Sequence, residues 1–215
     1  MPRPPATPSV PADAVVSFAR LDAPAPLPAL QAEVAALLGQ DWVEHVNRND
    51  YAGGWDVLPL RCQRQHLDAH PILQGFAIHA GDDWQDLPVL ASCPALSALL
   101  QRLQCPLRSA RLMRLKAGAH IRPHRDHGLS LEQGQARLHL PIETSDHIRF
   151  LVDGCPVPMR AGELWYFNAD QMHEVHNPGE HDRINLVIDC VANAWLVERI
   201  HAGDPLHWAD GVDAR

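Results

Sequence analysis

The sequence contains no apolar segment long enough to suggest a membrane protein. No run approaches the roughly 18 consecutive apolar residues of a transmembrane helix. Residues 1–12 contain several prolines and no apolar stretch, unlike a secretory signal, so we expect a flexible Pro-rich arm there. Any cluster of lysine and arginine is also absent, and the net charge of −8 would repel phosphate groups. Nucleic acids and membranes are therefore poor predicted partners, and a small molecule or a peptide is expected instead.

The cysteines form no recognisable pattern. They are odd in number and contain no CxxC pair, which argues against a disulfide framework and against a structural zinc site. Unpaired thiols predict a reducing, cytoplasmic compartment in which most of them are buried as small apolar groups. The five are Cys62, Cys93, Cys105, Cys155 and Cys190.

Apolar periodicity changes from helical to strand-like along the chain. Leucine and valine recur at helical spacing in residues 27–38 and 93–103, which predicts two amphipathic helices, the first ending at Gly39. A period of two and intervening turns predict short strands. These strands cover 15–21, 55–60, 110–115, 136–142, 147–152, 156–159, 163–167 and 183–188. Helices followed by antiparallel strands predict a mainly β fold, a jelly-roll barrel with helices flanking one sheet.

The length of 215 residues fits one domain with an apolar core. We expect this domain over residues 13–200, followed by a C-terminal tail over residues 201–215. No internal repeat interrupts it.

The candidate metal-binding side chains are concentrated in residues 120–189. His124 and Asp126 are two residues apart, so in an extended strand both side chains would point to one face and could bind one metal ion. A histidine from a neighbouring strand, with His173 as a candidate, would complete a 2-His-1-carboxylate triad with three open coordination sites. This donor set suits Fe(II) with a chelating co-substrate and dioxygen. The alternative is a chance pair among many surface histidines.

Three further polar residues interrupt apolar strands near this motif. Arg183 opens the last predicted strand, while Arg137 and His139 alternate with Leu138 and Leu140. If the leucines face the core, Arg137 and His139 face the barrel lumen; a solvated outer face is the alternative. An arginine inside the barrel would need an anion, and its guanidinium fork matches a carboxylate.

Several motifs together resemble one enzyme family. They are, in order, His124-Arg125-Asp126, Arg137-Leu138-His139-Leu140-Pro141-Ile142, Met159 with Gly162-Glu163-Leu164-Trp165, His173-Glu174-Val175-His176-Asn177, and Arg183 to Asp189. This order resembles the aspartyl/asparaginyl β-hydroxylase family of Fe(II)/2-oxoglutarate-dependent dioxygenases over residues 107–192. Because Asp126 is present, the chain is more similar to the bacterial branch than to animal members that lack the metal carboxylate.

The resemblance implies a double-stranded β-helix of the cupin-like type and a hydroxylase that uses Fe(II), 2-oxoglutarate and dioxygen. The implied ligands are His124, Asp126 and His173 for iron, and Arg183, Arg137 and His139 for 2-oxoglutarate. The implied substrate is a free amino acid or an amino-acid-derived metabolite, or an Asp or Asn residue of a peptide.

Three residues are candidate substrate contacts. Arg122 shares the alternation of His124, Asn177 follows the second histidine motif, and Trp55 ends a turn-rich segment over residues 47–55. An exposed strand-end arginine and a core tryptophan are the alternative interpretations.

Two other functions stay open at this point. A non-oxidative cupin-type metalloenzyme could use the same barrel, but it would need neither Arg183 nor Arg137 in the lumen. A small-acid or peptide binding module without catalysis would have no reason to bury an intact set of metal ligands.

Overall fold

The computed structural model of the chain describes residues 15–76 and 81–209, so the predicted arm over residues 1–12 lies outside the described residues. The described helices are α1 (Leu27–Leu37), α2 (Pro71–Phe76), α3 (Pro94–Gln101) and α4 (Ala194–His201). The described strands are β1 (Val16–Leu21), β2 (Val43–Glu44), β3 (Tyr51–Ala52), β4 (Trp55–Gln63), β5 (Trp84–Asp86), β6 (Leu107–Leu115), β7 (His120–His124), β8 (Gln135–Glu143), β9 (Arg149–Val152), β10 (Cys155–Pro156), β11 (Leu164–Phe167), β12 (His173–His176), β13 (Arg183–Val191) and β14 (Leu206–Trp208). Within these two ranges, no helix combines the length and apolar character needed to cross a bilayer.

The strands form two sheets with an apolar cluster between them. The larger sheet has the order β14-β1-β11-β8-β13-β6-β4-β2, with β5 beside β4, and the smaller has the order β10-β9-β12-β7-β3. The pairings in both sheets are antiparallel. This arrangement is a jelly-roll barrel, and the predicted fold class is confirmed.

Strand β13 shows how the sequence pattern gives the larger sheet two different faces. Ile184, Leu186 and Ile188 are buried in one cluster with leucines of α1 and α3. The alternate residues Arg183 and Asn185 line a cavity between the sheets. Burying a leucine or isoleucine side chain stabilises the fold by roughly 1.5–3 kcal/mol. A one-residue slip in register would exchange the two faces, so the apolar residues fix the polar ones in the cavity.

Strand β8 also has one apolar face under the helices and one polar face on the cavity. Leu138 and Leu140 lie in the cluster under the helices, and Arg137 and His139 line the cavity. The sequence pattern therefore assigned both faces of β8 to the correct environments.

The N-terminal half completes the larger sheet. β1 pairs with β11, and β4 pairs with β6 so that Trp55 lies opposite Leu115. On its other side, Leu115 lies opposite Arg183 of β13. Residues from both halves of the chain therefore form one continuous cavity face.

Several local details differ from the sequence-based expectations. β7 ends at His124, so Asp126 lies in the following loop and not within the strand. The C-cap of α1 is Leu38 in the right-handed helical region, so Gly39 is not used for a left-handed cap. Part of the segment expected to be a C-terminal tail forms β14, which pairs with β1.

Asp153 and Gly154 form the tight turn that joins β9 and β10 as a hairpin. Asp153 and Gly154 have φ angles of 49° and 77°, the pair of positive values that a two-residue type I′ turn requires. This turn sets the register in which Val152 lies opposite Cys155.

Candidate metal and co-substrate site

A cross-strand pair in the smaller sheet brings two of the predicted ligands together. β7 and β12 are antiparallel neighbours, and His124 lies opposite His173 with ring centroids 4.2 Å apart. Asp126 follows β7 in a loop fixed by a 2.8 Å hydrogen bond from its backbone N–H to the carbonyl of Ala169. One possible ligand atom from each of the three residues lies within 4.8 Å of the others. The set could therefore hold one metal ion.

Backbone carbonyls orient both imidazoles. Nδ1 of His124 lies 2.8 Å from the carbonyl oxygen of Arg122, and Nδ1 of His173 lies 3.0 Å from that of Gln171. With Nδ1–H donating to these oxygens, Nε2 of each ring is left with a lone pair for a metal. Burial lowers the pKa of His173 to about 4, so this ring is neutral, as a metal ligand must be, near pH 7.

A buried network holds the carboxylate of Asp126. Nη1 of Arg137 donates to Asp126, while its Nε and Nη2 donate to Asp189 at 2.7 and 3.1 Å. Asp189 also accepts hydrogen bonds from Arg111 and Ser109, both at 2.9 Å. Burial opposes ionisation of Asp189, but the two guanidinium groups hold its pKa well below its usual range. The network therefore keeps a charged, fixed carboxylate at the metal position.

Arg137 is thus already bonded to two carboxylates of the protein. The resemblance assigned it to 2-oxoglutarate, whereas in the structure each of its three nitrogens donates to Asp126 or Asp189. Contact with 2-oxoglutarate stays a prediction. The contact with the metal-binding carboxylate is an additional role that the sequence did not indicate.

A second group of polar side chains has no partner of its own. Among the described residues no carboxylate pairs with Arg183, which is only 5% exposed, and its Nε has no hydrogen-bond acceptor. Burial lowers the pKa of Arg183 to about 10. Nδ1 of His139 and both polar side-chain atoms of Asn185 are also buried without partners. Because an isolated buried cation is costly, this pocket fits an anion with hydrogen-bonding oxygens, such as a carboxylate.

The metal-ligand set and Arg183 line the same cavity, whose volume is about 220 Å³. Drug-sized ligands occupy pockets of roughly 300–1,000 Å³. The cavity therefore suits small metabolites. From the N-terminal half, His45, Trp55 and Phe76 line it as well.

The three candidate substrate residues are not brought together. Arg122 is exposed and donates to the carbonyl of Asn49 at 2.6 Å, outside the cavity lining. Asn177 is fully buried, and its Nδ2 donates to three backbone carbonyls at 2.8 to 3.2 Å. These bonds account for Asn177 as a turn-stabilising residue. Trp55 does line the cavity.

Sequence reasoning missed Asn185, Arg111 and His45 as cavity residues. Asn185 could have been found, because it shares the alternation of Arg183 in an apolar strand, and Arg111 alternates with Leu112 in the same way. His45 follows a strand of only two residues, so no periodic pattern could have placed it.

Comparison with known proteins supports one family. The family model described as Aspartyl/Asparaginyl beta-hydroxylase matches residues 26–193. The L-proline cis-4-hydroxylase of Rhizobium meliloti (strain 1021) is 29% identical over 131 residues, which cover 60% of this chain and 46% of that protein. The chain thus matches less than half the length of this curated relative. Among solved structures, the non-heme alpha-ketoglutarate-dependent epimerase SnoN from nogalamycin biosynthesis has a TM-score of 0.50 and 16% identity, over 82% of this chain and 78% of that one. This last likeness concerns the fold alone.

Proposed function

We propose that this chain, which belongs to the aspartyl/asparaginyl β-hydroxylase family, is an Fe(II)/2-oxoglutarate-dependent dioxygenase that hydroxylates a C–H bond of a small substrate. The observation that carries the proposal is one cavity lined by both a 2-His-1-carboxylate set and an unpartnered buried arginine. A non-oxidative metalloenzyme would have no use for this second feature.

The donor set fits Fe(II) because it offers two neutral imidazole nitrogens and a carboxylate and contains no thiolate. His124 and His173 would bind through Nε2, and Asp126 through its carboxylate, which Arg137 also holds. With 2-oxoglutarate and dioxygen, the bound iron would supply the oxidising chemistry typical of this enzyme class. The chain's own contribution is to fix the ligands and to hold the reactants together in the cavity between the sheets.

Arg183 would hold 2-oxoglutarate through the carboxylate remote from the metal. This pairing would satisfy the buried guanidinium, and the unbonded atoms of His139 and Asn185 offer further hydrogen bonds to the same co-substrate. Binding would then stabilise the folded protein as well as position the co-substrate.

A free amino acid or an amino-acid-derived metabolite is the proposed substrate class. The small cavity volume supports it, as does the similarity to a protein named for hydroxylation of L-proline.

Anaerobic addition of Fe(II) and 2-oxoglutarate to the apoprotein tests the proposal. We expect the visible metal-to-ligand charge-transfer band of the chelate. His124→Ala should abolish the band, while His127→Ala, at an exposed histidine near the same loop, should retain it. Absence of the band from the native protein, or its survival in His124→Ala, would refute the assignment.

Succinate release in air then identifies the substrate class. Free amino acids, their amides and short Asp- or Asn-containing peptides are compared with a reaction without substrate. Stimulation by free amino acids supports the proposed class, whereas stimulation by peptides alone excludes it.

A further inference from the structure

One wall of the cavity comes from the N-terminal half of the chain. This N-terminal wall consists of cavity-lining residues from 45–55 and 75–76, and it contains neither a metal ligand nor Arg183. The groups proposed to hold iron and 2-oxoglutarate come from β7, β8, β12, β13 and the loop after β7. Because the cavity measures only about 220 Å³, a substrate that lies beside the metal and the co-substrate has the N-terminal wall and β6 left to contact.

Stacked aromatic rings bring the N-terminal wall close to the metal ligands. The imidazole of His45 stacks on the indole of Trp55, with centroids 3.5 Å apart and 7° between the planes. Burial, and next the guanidinium of Arg111, lower the pKa of His45 to about 3, and the charges of Asp126 and His124 act on the same imidazole. Asp126 and His124 belong to the metal-ligand set. The stacked pair therefore lies near that set.

Phe76 adds a third ring to this wall. It meets the imidazole of His45 edge-on, with centroids 4.7 Å apart and 88° between the planes. Phe76 is only partly buried and is the last residue of α2. Gly75 before it is buried, and a Cβ placed there would lie 3.4 Å from Cγ1 of Val57 in β4. The close packing of α2 on β4, together with the contact to His45, fixes the position of the ring in the cavity wall.

The formal charges around the cavity add up to zero. Three arginines are balanced by three carboxylates, namely Arg111, Arg137 and Arg183 and Asp50, Asp126 and Asp189. Fe(II) and the 2-oxoglutarate dianion would neutralise one another and leave this balance unchanged. A zwitterionic amino acid, which has no net charge, would leave it unchanged as well. Discrimination among such amino acids then depends on how their side chains fit the apolar part of the lining.

We infer that the ring of Phe76 limits the length of the substrate side chain, so that the enzyme prefers free amino acids with short side chains to their longer homologues. The inference rests on the proposed function and adds a specificity-determining residue to it. A side chain that extends toward the N-terminal wall would collide with a ring that His45 and α2 hold in place. One methylene that does not fit a hydrophobic pocket changes kcat/KM by roughly 10- to 200-fold.

The test changes the size of this ring in both directions. Phe76→Ala removes the ring, Phe76→Leu keeps a smaller apolar side chain, and Phe76→Trp enlarges the ring. Leu73→Ala is the matched control, because Leu73 lies in the same helix, is 47% exposed and does not line the cavity. The anaerobic charge-transfer band with Fe(II) and 2-oxoglutarate shows whether each variant keeps the metal and co-substrate site.

Values of kcat/KM are measured for a series of free amino acids in which the side chain grows by one methylene at a time. For the native enzyme we expect a fall of about 10- to 200-fold at the first homologue that is too long. In Phe76→Ala the ratio of kcat/KM for that homologue to kcat/KM for the shorter one should rise at least about 10-fold. Phe76→Leu should show a smaller rise, and Phe76→Trp should move the fall to a shorter homologue. The KM for 2-oxoglutarate should stay unchanged, and Leu73→Ala should behave as the native protein.

An equal change in kcat/KM for short and long homologues in Phe76→Ala and Phe76→Leu would overturn the inference, because the ring would then only support His45. A native enzyme without any dependence on side-chain length would overturn it too. Stimulation of the native enzyme by no free amino acid would overturn it while leaving the dioxygenase assignment intact, whereas absence of the charge-transfer band from the native protein would remove both. If Phe76→Ala unfolds below the assay temperature, Phe76→Leu and Phe76→Trp decide.

Discussion

Replacement of Asp189 by asparagine should destabilise the protein, because it leaves two buried arginines with one carboxylate fewer. Asp189 is 3% exposed and accepts hydrogen bonds from Arg137, Arg111 and Ser109 at 2.7 to 3.1 Å. Asparagine keeps the shape but carries no charge, and its NH₂ group would face a guanidinium. Removing one partner of a buried ion pair costs about 3–5 kcal/mol. That loss is a large part of the roughly 5–15 kcal/mol that stabilises a typical domain.

The same change should weaken metal binding. Arg137 loses the charge of Asp189 and one of the two bonds that anchor it there, so it fixes the carboxylate of Asp126 less firmly. Loss of such an outer partner typically lowers metal affinity about 10- to 100-fold. Both effects come from one substitution that touches no metal ligand directly.

Urea unfolding of the apoprotein and titration with Fe(II) under anaerobic conditions measure the two effects. Asp182→Asn is the control. The carboxylate of Asp182 forms a partly exposed ion pair with Lys116 at 3.3 Å, and such a pair contributes at most about 1 kcal/mol to stability. Because the folded-state pKa of Asp189 is depressed, its stabilisation is complete above about pH 4 and is lost as the pH falls below that. The difference in the free energy of unfolding between the native protein and Asp189→Asn should therefore be constant near neutral pH and should become smaller in acid. A loss below about 1 kcal/mol at pH 7, with unchanged metal affinity, would refute the reasoning.

Three further predictions concern the cavity and the core. Arg183→Met should leave the free energy of unfolding of the apoprotein unchanged or higher, because an unpartnered buried cation is removed. 2-Oxoglutarate at 100 times its Kd should stabilise the metal-loaded native protein by about 2.7 kcal/mol, and should not stabilise Arg183→Met; thermal unfolding with and without the co-substrate shows whether this holds. His139→Phe should flatten the pH dependence of stability: burial, and next Arg183, keep the pKa of His139 well below its ordinary value. The native protein thus loses up to about 1.4 kcal/mol per pH unit through this residue as the pH falls below about 6.5. An equally steep profile for the variant would contradict the assigned cause. Leu138→Ala should cost about 2–5 kcal/mol in urea unfolding without altering Fe(II) affinity, since Leu138 lies under the helices, away from the cavity; a parallel loss of affinity would show that the two faces of β8 are coupled.

The fold and the family were predictable because the C-terminal half obeys a strict period of two. In β8 and β13 the leucines and isoleucines pack under the helices, whereas Arg137, His139, Arg183 and Asn185 line the cavity. Alternation therefore identifies the cavity face of a strand before its partners are known. The match of the family model to residues 26–193 confirms the resemblance that the motifs indicated.

The rest of the site depends on contacts that periodicity does not encode. Asn177 follows the second histidine directly, but its side chain is used by backbone carbonyls of a turn. His45 is positioned by stacking on Trp55, which lies ten residues further along the chain. The sequence pattern placed Arg137 on the correct face. Its partner Asp189, however, lies directly opposite on the neighbouring strand β13, far away in the sequence. Such pairings become visible only once strand neighbours and register are known.

The pairing of β14 with β1 nearly closes the backbone into a ring. Ala209 donates its backbone N–H to the carbonyl of Val15 at 2.8 Å, so a short linker between these residues would produce a circularly permuted chain. New termini could be opened at the β9–β10 hairpin, whose Asp153 and Gly154 are exposed. In that permutant the second histidine would precede the His-x-Asp motif, and the linear signature of the family would be lost. The three ligands would still meet, because their proximity comes from the adjacency of β7 and β12 and not from their order in the sequence.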